Sequence, residues 1–167
     1  MQFQSNRLQF SKFGEDDFDL YLSLVSTLEV MKHITGRALM DREARIKFNE
    51  LLKTNQEHSD LGVYKVLLKN NREFMGLGKI VDDRDKKAEI GYSILPQFRG
   101  QKFGSEIAAS LVEMGKIIDG IEILTAITDP KNTPSNAILN KLGFEMHREG
   151  TFKGLPAYFF RYPLYPS

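Results

Sequence analysis

The chain has 167 residues and a mass of 19.1 kDa, a length that suits one domain and buries about 70% of the surface its unfolded form would expose. With 23 Lys and Arg against 22 Asp and Glu, a formal charge of +1 and a sequence pI of about 7.9, it lacks the basic field on which nucleic-acid and anionic-membrane binding depend. The absence of cysteine excludes disulfides, thiolate zinc sites and a cysteine nucleophile, so any chemistry must use oxygen, nitrogen or backbone groups.

The amino terminus shows no basic head followed by an apolar stretch and a small-residue cleavage site, and no window reaches the roughly 18 uninterrupted apolar residues of a membrane span. A cytoplasmic protein is expected, with no membrane partner. Of the three histidines, His33, His58 and His147, none lies at the spacing of paired helical metal ligands, so no metal site is indicated. Neither a GxSxG elbow nor a GxxxxGK[ST] loop is present, which removes the commonest signals of a serine hydrolase and a P-loop NTPase.

Taken in chain order, Asn6 to Phe10 reads as an edge strand, and Glu15, Asp16 and Asp17 open a helix to Ser26 with negative charge at its positive end. Glu29 to Met40 loses the helical period and reads as a loop. A second helix runs from Asp41 to about Lys53, with Ala44, Phe48, Leu51 and Leu52 on one side, and Asn55 to Gly62 is polar and turn-like. Val63 to Leu68 and Phe74 to Val81 then form a hairpin about the turn Lys69-Asn70-Asn71-Arg72, and a charged turn leads to a third antiparallel strand, Ala88 to Leu95, stopped by Pro96.

Gly104 to Asp119 carries apolar residues at helical spacing and runs into the β-branched stretch Ile121 to Thr128. Strand, helix and strand over about 40 residues make a crossover unit with parallel strands. The next helix, Thr133 to Leu142, is opened by Asn132 or Thr133, has Pro134 in its first turn and is closed by Gly143. Phe144 to Arg148 and Ala157 to Tyr162 form a last hairpin. The sum is an α+β fold: a mixed sheet of about seven strands, mostly antiparallel with one parallel pair, and about four helices.

The segment most suggestive of chemistry is Pro96-Gln97-Phe98-Arg99-Gly100-Gln101-Lys102-Phe103-Gly104-Ser105-Glu106, a basic, glycine-bearing turn between a strand and a helix amino terminus. Free backbone N–H groups and the helix dipole favour an anion there, and Arg99 and Lys102 add charge. By itself the turn also reads as an ordinary connection with solvated cations. Its context is Ala88-Glu89-Ile90-Gly91-Tyr92 before it, and Asn132-Thr133-Pro134-Ser135 through Lys141-Leu142-Gly143-Phe144-Glu145 after the next strand. Together these resemble the GNAT superfamily of N-acetyltransferases, especially the ribosomal-protein N-terminal acetyltransferases.

The resemblance implies that Arg99, Gly100, Gln101, Lys102, Phe103, Gly104 and Ser105 hold the pyrophosphate of acetyl-CoA, with Lys102 standing where the family usually has a glycine. It implies that the strands at Ala88 to Leu95 and Ile121 to Thr128 splay to admit the pantetheine arm like an added strand, beside Asn132 and Ser135. Asn132 equally reads as a helix cap and Ser135 as a plain first-turn residue. For acetyl transfer to an amine, Glu89 is the candidate base, with a salt-bridged strand carboxylate as its alternative. A backbone N–H near Ile94 or Leu95, freed by a bulge before Pro96, would hold the oxyanion. Leu139 occupies the position where many relatives have the tyrosine acid, leaving Ser135 or water to protonate the leaving sulfur. Met31, His33, Ile34 and Tyr92, with Phe152, Tyr158 or Phe160, are expected on the acceptor side. Partners are then acetyl-CoA and an amine, a homodimer remaining open. A catalytically impaired acyl-CoA-binding or interaction module on the same fold, or a nucleotide-binding enzyme using the Arg99 turn, are the alternatives.

Overall fold

The three central strands expected in sequence order lie within a larger sheet in the computed structural model, which describes residues 2–165. The strands are β1 (Phe3–Gln4), β2 (Leu8–Lys12), β3 (Gly62–Leu68), β4 (Phe74–Asp82), β5 (Lys87–Ile94), β6 (Ile123–Thr128), β7 (Glu145–Phe152) and β8 (Leu155–Pro163). Their order across the sheet is β1-β2-β3-β4-β5-β6-β8-β7. Among the described residues only β5 and β6 are parallel; every other neighbouring pair is antiparallel. The α-helices are α1 (Phe18–Val25), α2 (Leu28–Met31), α3 (Asp41–Glu57), α4 (Phe103–Ile117) and α5 (Thr133–Leu142). No helix among the described residues is long and apolar enough to cross a membrane.

Two apolar layers enclose the sheet. On one face α4 packs Ile107, Leu111 and Met114 against Phe10, Tyr64, Ile80, Ile90 and Leu124, all essentially sealed from solvent. On the other, α1 to α3 contribute Phe18, Tyr21, Leu24 and Phe48 to a cluster with Phe13, reached from the sheet by Val63, Phe74 and Leu77. Edge-to-face rings fill that second layer, with Phe13 and Phe18 standing 6.2 and 5.5 Å from Phe48.

The α+β mixed sheet stands as expected; among the described residues it has eight strands against the seven that the pattern predicts, and five α-helices against four. The added strand is the two-residue β1, which takes the edge that the sequence pattern assigns to β2. The added helix is the four-residue α2, inside a stretch whose Gly36 breaks the helical period. Both elements are too short to hold by themselves and depend on what they pack against. The segment from Asn55, read as a turn, instead continues α3 to Glu57. Asn55 donates from Nδ2 to the Phe13 and Val63 carbonyls and accepts the Val63 N–H at 2.7 Å, while Lys12 Nζ donates to the Asn55 and His58 carbonyls. The polar residues satisfy β3 and the end of the helix rather than water.

Candidate active site

The backbone phase of β5 sets what faces the sheet interior. Asp83 N–H donates to the Lys87 carbonyl and Leu95 N–H to the Met75 carbonyl, at 2.9 and 2.8 Å. Odd-numbered residues of β5 therefore bond to β4, and the N–H groups of Ala88, Ile90, Tyr92 and Ile94 point toward β6. Pairing with β6 covers only Lys87 to Ile90 against Ile123 to Ala126. Beyond it β5 runs on to Ile94 and β6 to Thr128 without pairing each other, so the strands part and the Tyr92 and Ile94 N–H groups face the gap.

This parting replaces the bulge expected before Pro96. Leu95 is no free donor, because its N–H is taken by Met75; Ile94 is the one turned to the gap. The irregularity lies one strand away, where Val66 pairs with Gly76 and Leu67 with Phe74, leaving Met75 as the extra residue of β4.

A cavity of about 660 Å³ opens at the gap, walled by α1 and α2 with the loop that follows, by β4 and β5, by the β6–α5 junction and by the β7–β8 hairpin tip. Glu89, Tyr92, His33, Asn132, Ser135 and Leu139 all line it, as do Met31, Ile34 and Phe152. Tyr158 and Phe160, also expected on the acceptor side, do not: Phe160 is core at 1% exposure and Tyr158 packs beside it. Arg99 to Ser105 lie outside the cavity.

Glu89 accepts a hydrogen bond from Lys79 Nζ at 2.6 Å. Gly91 makes that pair possible: it lies opposite Lys79 in the ladder, and a Cβ on it would come within 2.7 Å of the lysine stem. His33 Nδ1 lies 2.8 Å from Asp129 Oδ2, joining α2's loop to the end of β6. Burial pushes the Asp129 carboxyl up, but the bonds from His33 and the Lys131 N–H, with the charges of both residues, outweigh it and hold the group below its ordinary value. Tyr92, on the α4 side, has its hydroxyl buried without a well-formed hydrogen bond. Burial raises that phenol, and the neighbouring Ser135 side chain offsets part of the rise.

The junction from β6 to α5 is tied locally. Asn132 caps α5, its side chain accepting the Ser135 N–H at 3.4 Å, and Gly143 closes the helix at φ +101°. Asn136 accepts from Thr128 Oγ1 and donates to the Asp129 and Pro130 carbonyls.

Just beyond the carboxyl end of β5, Gly100 and Lys102 both adopt left-handed backbone, at φ +76° and +64°. Lys102 is the N-cap of α4, so the N–H groups of Phe103, Gly104 and Ser105 open outward from the first turn. Arg99 donates one guanidinium N–H to the Glu29 carbonyl of α2 at 2.6 Å. Gly104 packs tightly: a Cβ there would stand 3.2 Å from Ile138 and 3.5 Å from Ile94.

A family model described as an acetyltransferase (GNAT) domain matches residues 7–145 of this chain. The chain belongs to the GNAT acetyltransferases. It is 24% identical over 151 residues to an uncharacterized N-acetyltransferase, p20, of Bacillus licheniformis, covering 89% of this chain and 84% of that one. To YnaD of Bacillus subtilis, also named an uncharacterized N-acetyltransferase, it is 27% identical over 156 residues, covering 92% and 86%. Among solved structures, a GNAT-family acetyltransferase from Bacillus anthracis superposes with a TM-score of 0.84 at 19% identity, over 98% of this chain and 99% of that one. RimL, described as a ribosomal L7/L12 alpha-N-protein acetyltransferase in complex with coenzyme A, gives 0.79 at 17% identity, over 96% of both chains.

Reading the sequence of this acetyltransferase for its site missed Lys79 and Asp129, the partners of Glu89 and His33. A signal exists for Asp129, a polar residue at the carboxyl end of a buried strand beside a helix start, where sites on open sheets gather. Lys79 carries none, because its pairing depends on the β4–β5 register.

Proposed function

We propose that the enzyme transfers the acetyl group of acetyl-CoA directly to a primary amine, a peptide N-terminus or a small-molecule amine, in a ternary complex within one domain. The parting of β5 and β6 carries this reading. It leaves backbone donors of β5 without strand partners at the edge of a cavity that also holds a carboxylate, a histidine and a serine, and an extended arm can pair there as an added strand.

Residues Arg99 to Ser105 would hold the pyrophosphate: the open first turn of α4 presents N–H groups to an anion, and Lys102 adds a cation. Asn132 and Ser135 would border the pantetheine. When bound, acetyl-CoA supplies the activated acyl group. The Ile94 N–H would meet negative charge on an acyl oxygen. Glu89 takes the proton of the attacking ammonium, directly or through water, His33 and Tyr92 bind the acceptor, and Ser135 or water protonates the sulfur. With no cysteine in the chain, direct attack replaces a thiol acyl-enzyme.

Titration calorimetry with acetyl-CoA, using ATP for comparison, tests the reading. The informative variant is Ser105→Glu rather than a substitution at Gly104, where any side chain disturbs Ile138 and Ile94. Ser105 is exposed in the first turn of α4; a carboxylate there suits the helix dipole, so thermal stability holds or rises, while repulsion of the phosphates weakens acetyl-CoA binding by at least about tenfold. Equal affinity for ATP and acetyl-CoA, or an unaffected variant, overturns the assignment. Binding without thiol release for any amine would instead favour an acyl-CoA-binding module.

A further inference from the structure

The cavity is lined by five lysines, Lys32, Lys47, Lys79, Lys131 and Lys153, against two carboxylates, Glu89 and Asp129. That surplus of three positive charges sits in a chain whose formal charge is only +1, so the rest of the surface is net negative. Both carboxylates are already matched, Glu89 by Lys79 at 2.6 Å and Asp129 by His33 at 2.8 Å. Among the described residues, Lys32, Lys47 and Lys153 have no carboxylate within ion-pair distance, although Lys47 lies in the field of Glu43 one helical turn away, a carboxylate held by Arg37.

Position separates Lys47 and Lys153 from the pyrophosphate turn. Lys47 belongs to α3, in the layer across the sheet from α4. Lys153 is held at the hairpin tip: Phe152 pairs with Leu155, and Lys153 and Gly154 between them have φ of +51° and +79°, the two left-handed residues of a tight turn. Its ammonium stands 5.3 Å from the Phe152 ring centroid, at the cavity's wall. A polyamine or lysine-rich acceptor entering here meets unmatched cations and no unpaired carboxylate; an acceptor with negative groups near its amine meets the reverse.

We propose that the acceptor is an anionic amine, one that carries carboxylate or phosphate groups close to the amino group that is acetylated. The inference rests on the acetyl-transfer reading and narrows its substrate class.

The test compares matched acceptors by release of free thiol from acetyl-CoA: the peptides Ser-Glu-Glu-Ala and Ser-Lys-Lys-Ala, and the small amines glutamate and putrescine, which separate a peptide source from a free one. At low ionic strength the acidic member of at least one pair has the higher kcat/KM, by about tenfold, and the gap narrows as salt screens it. The exposed double variant Lys47→Glu, Lys153→Glu erases or inverts that ranking and leaves acetyl-CoA affinity unchanged by calorimetry. Preference for the basic members, or a ranking that survives charge reversal, overturns the inference. So does loss of acetyl-CoA affinity in the variant, which hands these lysines to the cosubstrate. If no acceptor releases thiol, the transfer reading fails by itself, and anisotropy with the same peptides, labelled at their carboxyl ends, decides the rest: selective binding of the acidic peptide sustains an anion-selective cavity, and equal or absent binding ends that too.

Discussion

Lys102 occupies left-handed backbone at φ +64° and ψ 17°, a conformation that costs a residue with a Cβ about 1–2 kcal/mol. The turn thus keeps a glycine's geometry while carrying a lysine, which preserves the exposed first turn of α4 and adds a cation. Lys102→Gly relieves the strain but gives freedom to the unfolded chain, so urea unfolding should show a gain of up to about 1 kcal/mol. The same variant should bind acetyl-CoA with weaker salt dependence, since one cation is gone. A loss of stability would show that the side chain contributes contacts that outweigh its strained backbone.

At Glu89 the prediction concerns rate. If Glu89 is the base, as proposed, replacing it with Gln removes the proton acceptor and turnover at neutral pH should fall. Below the acceptor's own pKa, about 8 for a peptide amino terminus, the neutral amine fraction grows about tenfold per pH unit. The variant should therefore recover progressively as pH rises, and a pH–rate profile identical to the parent enzyme's would remove Glu89 from proton transfer. The sequence marks His33 and Glu89 as single residues, yet each stands in the structure as half of a pair. Lys79 lies ten residues from Glu89 across a hairpin and Asp129 lies 96 from His33; local pattern can mark Asp129 as a strand-end polar residue, but it does not show which residue either side chain meets.

At the scale of elements, β4 and α5 show the two extremes of legibility. The bounds of α5 follow from its own residues, an Asn that caps, a Pro in the first turn and a Gly that closes, and the helix is found at Thr133–Leu142 as read. Such signals survive because caps and turns are satisfied within a few residues. The bulge of β4 has no such marker. Gly76 is required there because a Cβ would stand 2.0 Å from the Ser93 carbonyl oxygen, a clash with backbone that no side-chain movement relieves. Gly76→Ala should therefore cost more than about 3 kcal/mol, at the severe end of single substitutions, and thermal unfolding measures it. A drop below about 1 kcal/mol would mean that β4 and β5 separate there at little expense.

For the molecule as a whole, Glu106 is the tie between its first and middle segments. Its carboxylate accepts from Ser5 Oγ at 2.6 Å, from the Arg7 N–H at 2.8 Å and from Arg7 Nε at 2.6 Å, joining the start of α4 to the link between β1 and β2. Burial pushes this carboxyl up, and those three bonds with the guanidinium charge outweigh it, leaving it below the ordinary 4.5. A group depressed in the folded state contributes fully above its unfolded pKa and loses that contribution as pH falls through the folded value. Asp129 acts in the same direction. Stability should hold from neutral pH to about 5 and decline below about 4.5. Glu106→Gln should remove about 1–2 kcal/mol at pH 7, discounted because Arg7 is partly solvated, and flatten the acid decline; denaturant unfolding at several pH values reads both effects. An unchanged slope would locate acid sensitivity elsewhere.

The sequence by itself determined the α+β class, the crossover that makes β5 and β6 parallel, the order of the motifs and the ends of α5, because alternation, helical period and capping are expressed within one element. Only the tertiary structure decided that β1 and α2 form, since two and four residues gain their stability from neighbours rather than from their own backbone. It alone decided where β5 and β6 part, which N–H groups face the gap, and that the cavity gathers its lysines while its carboxylates are paired. Those properties depend on register and on contacts between residues far apart in the chain, and a one-residue slip in register would turn every such group to the other side of its strand.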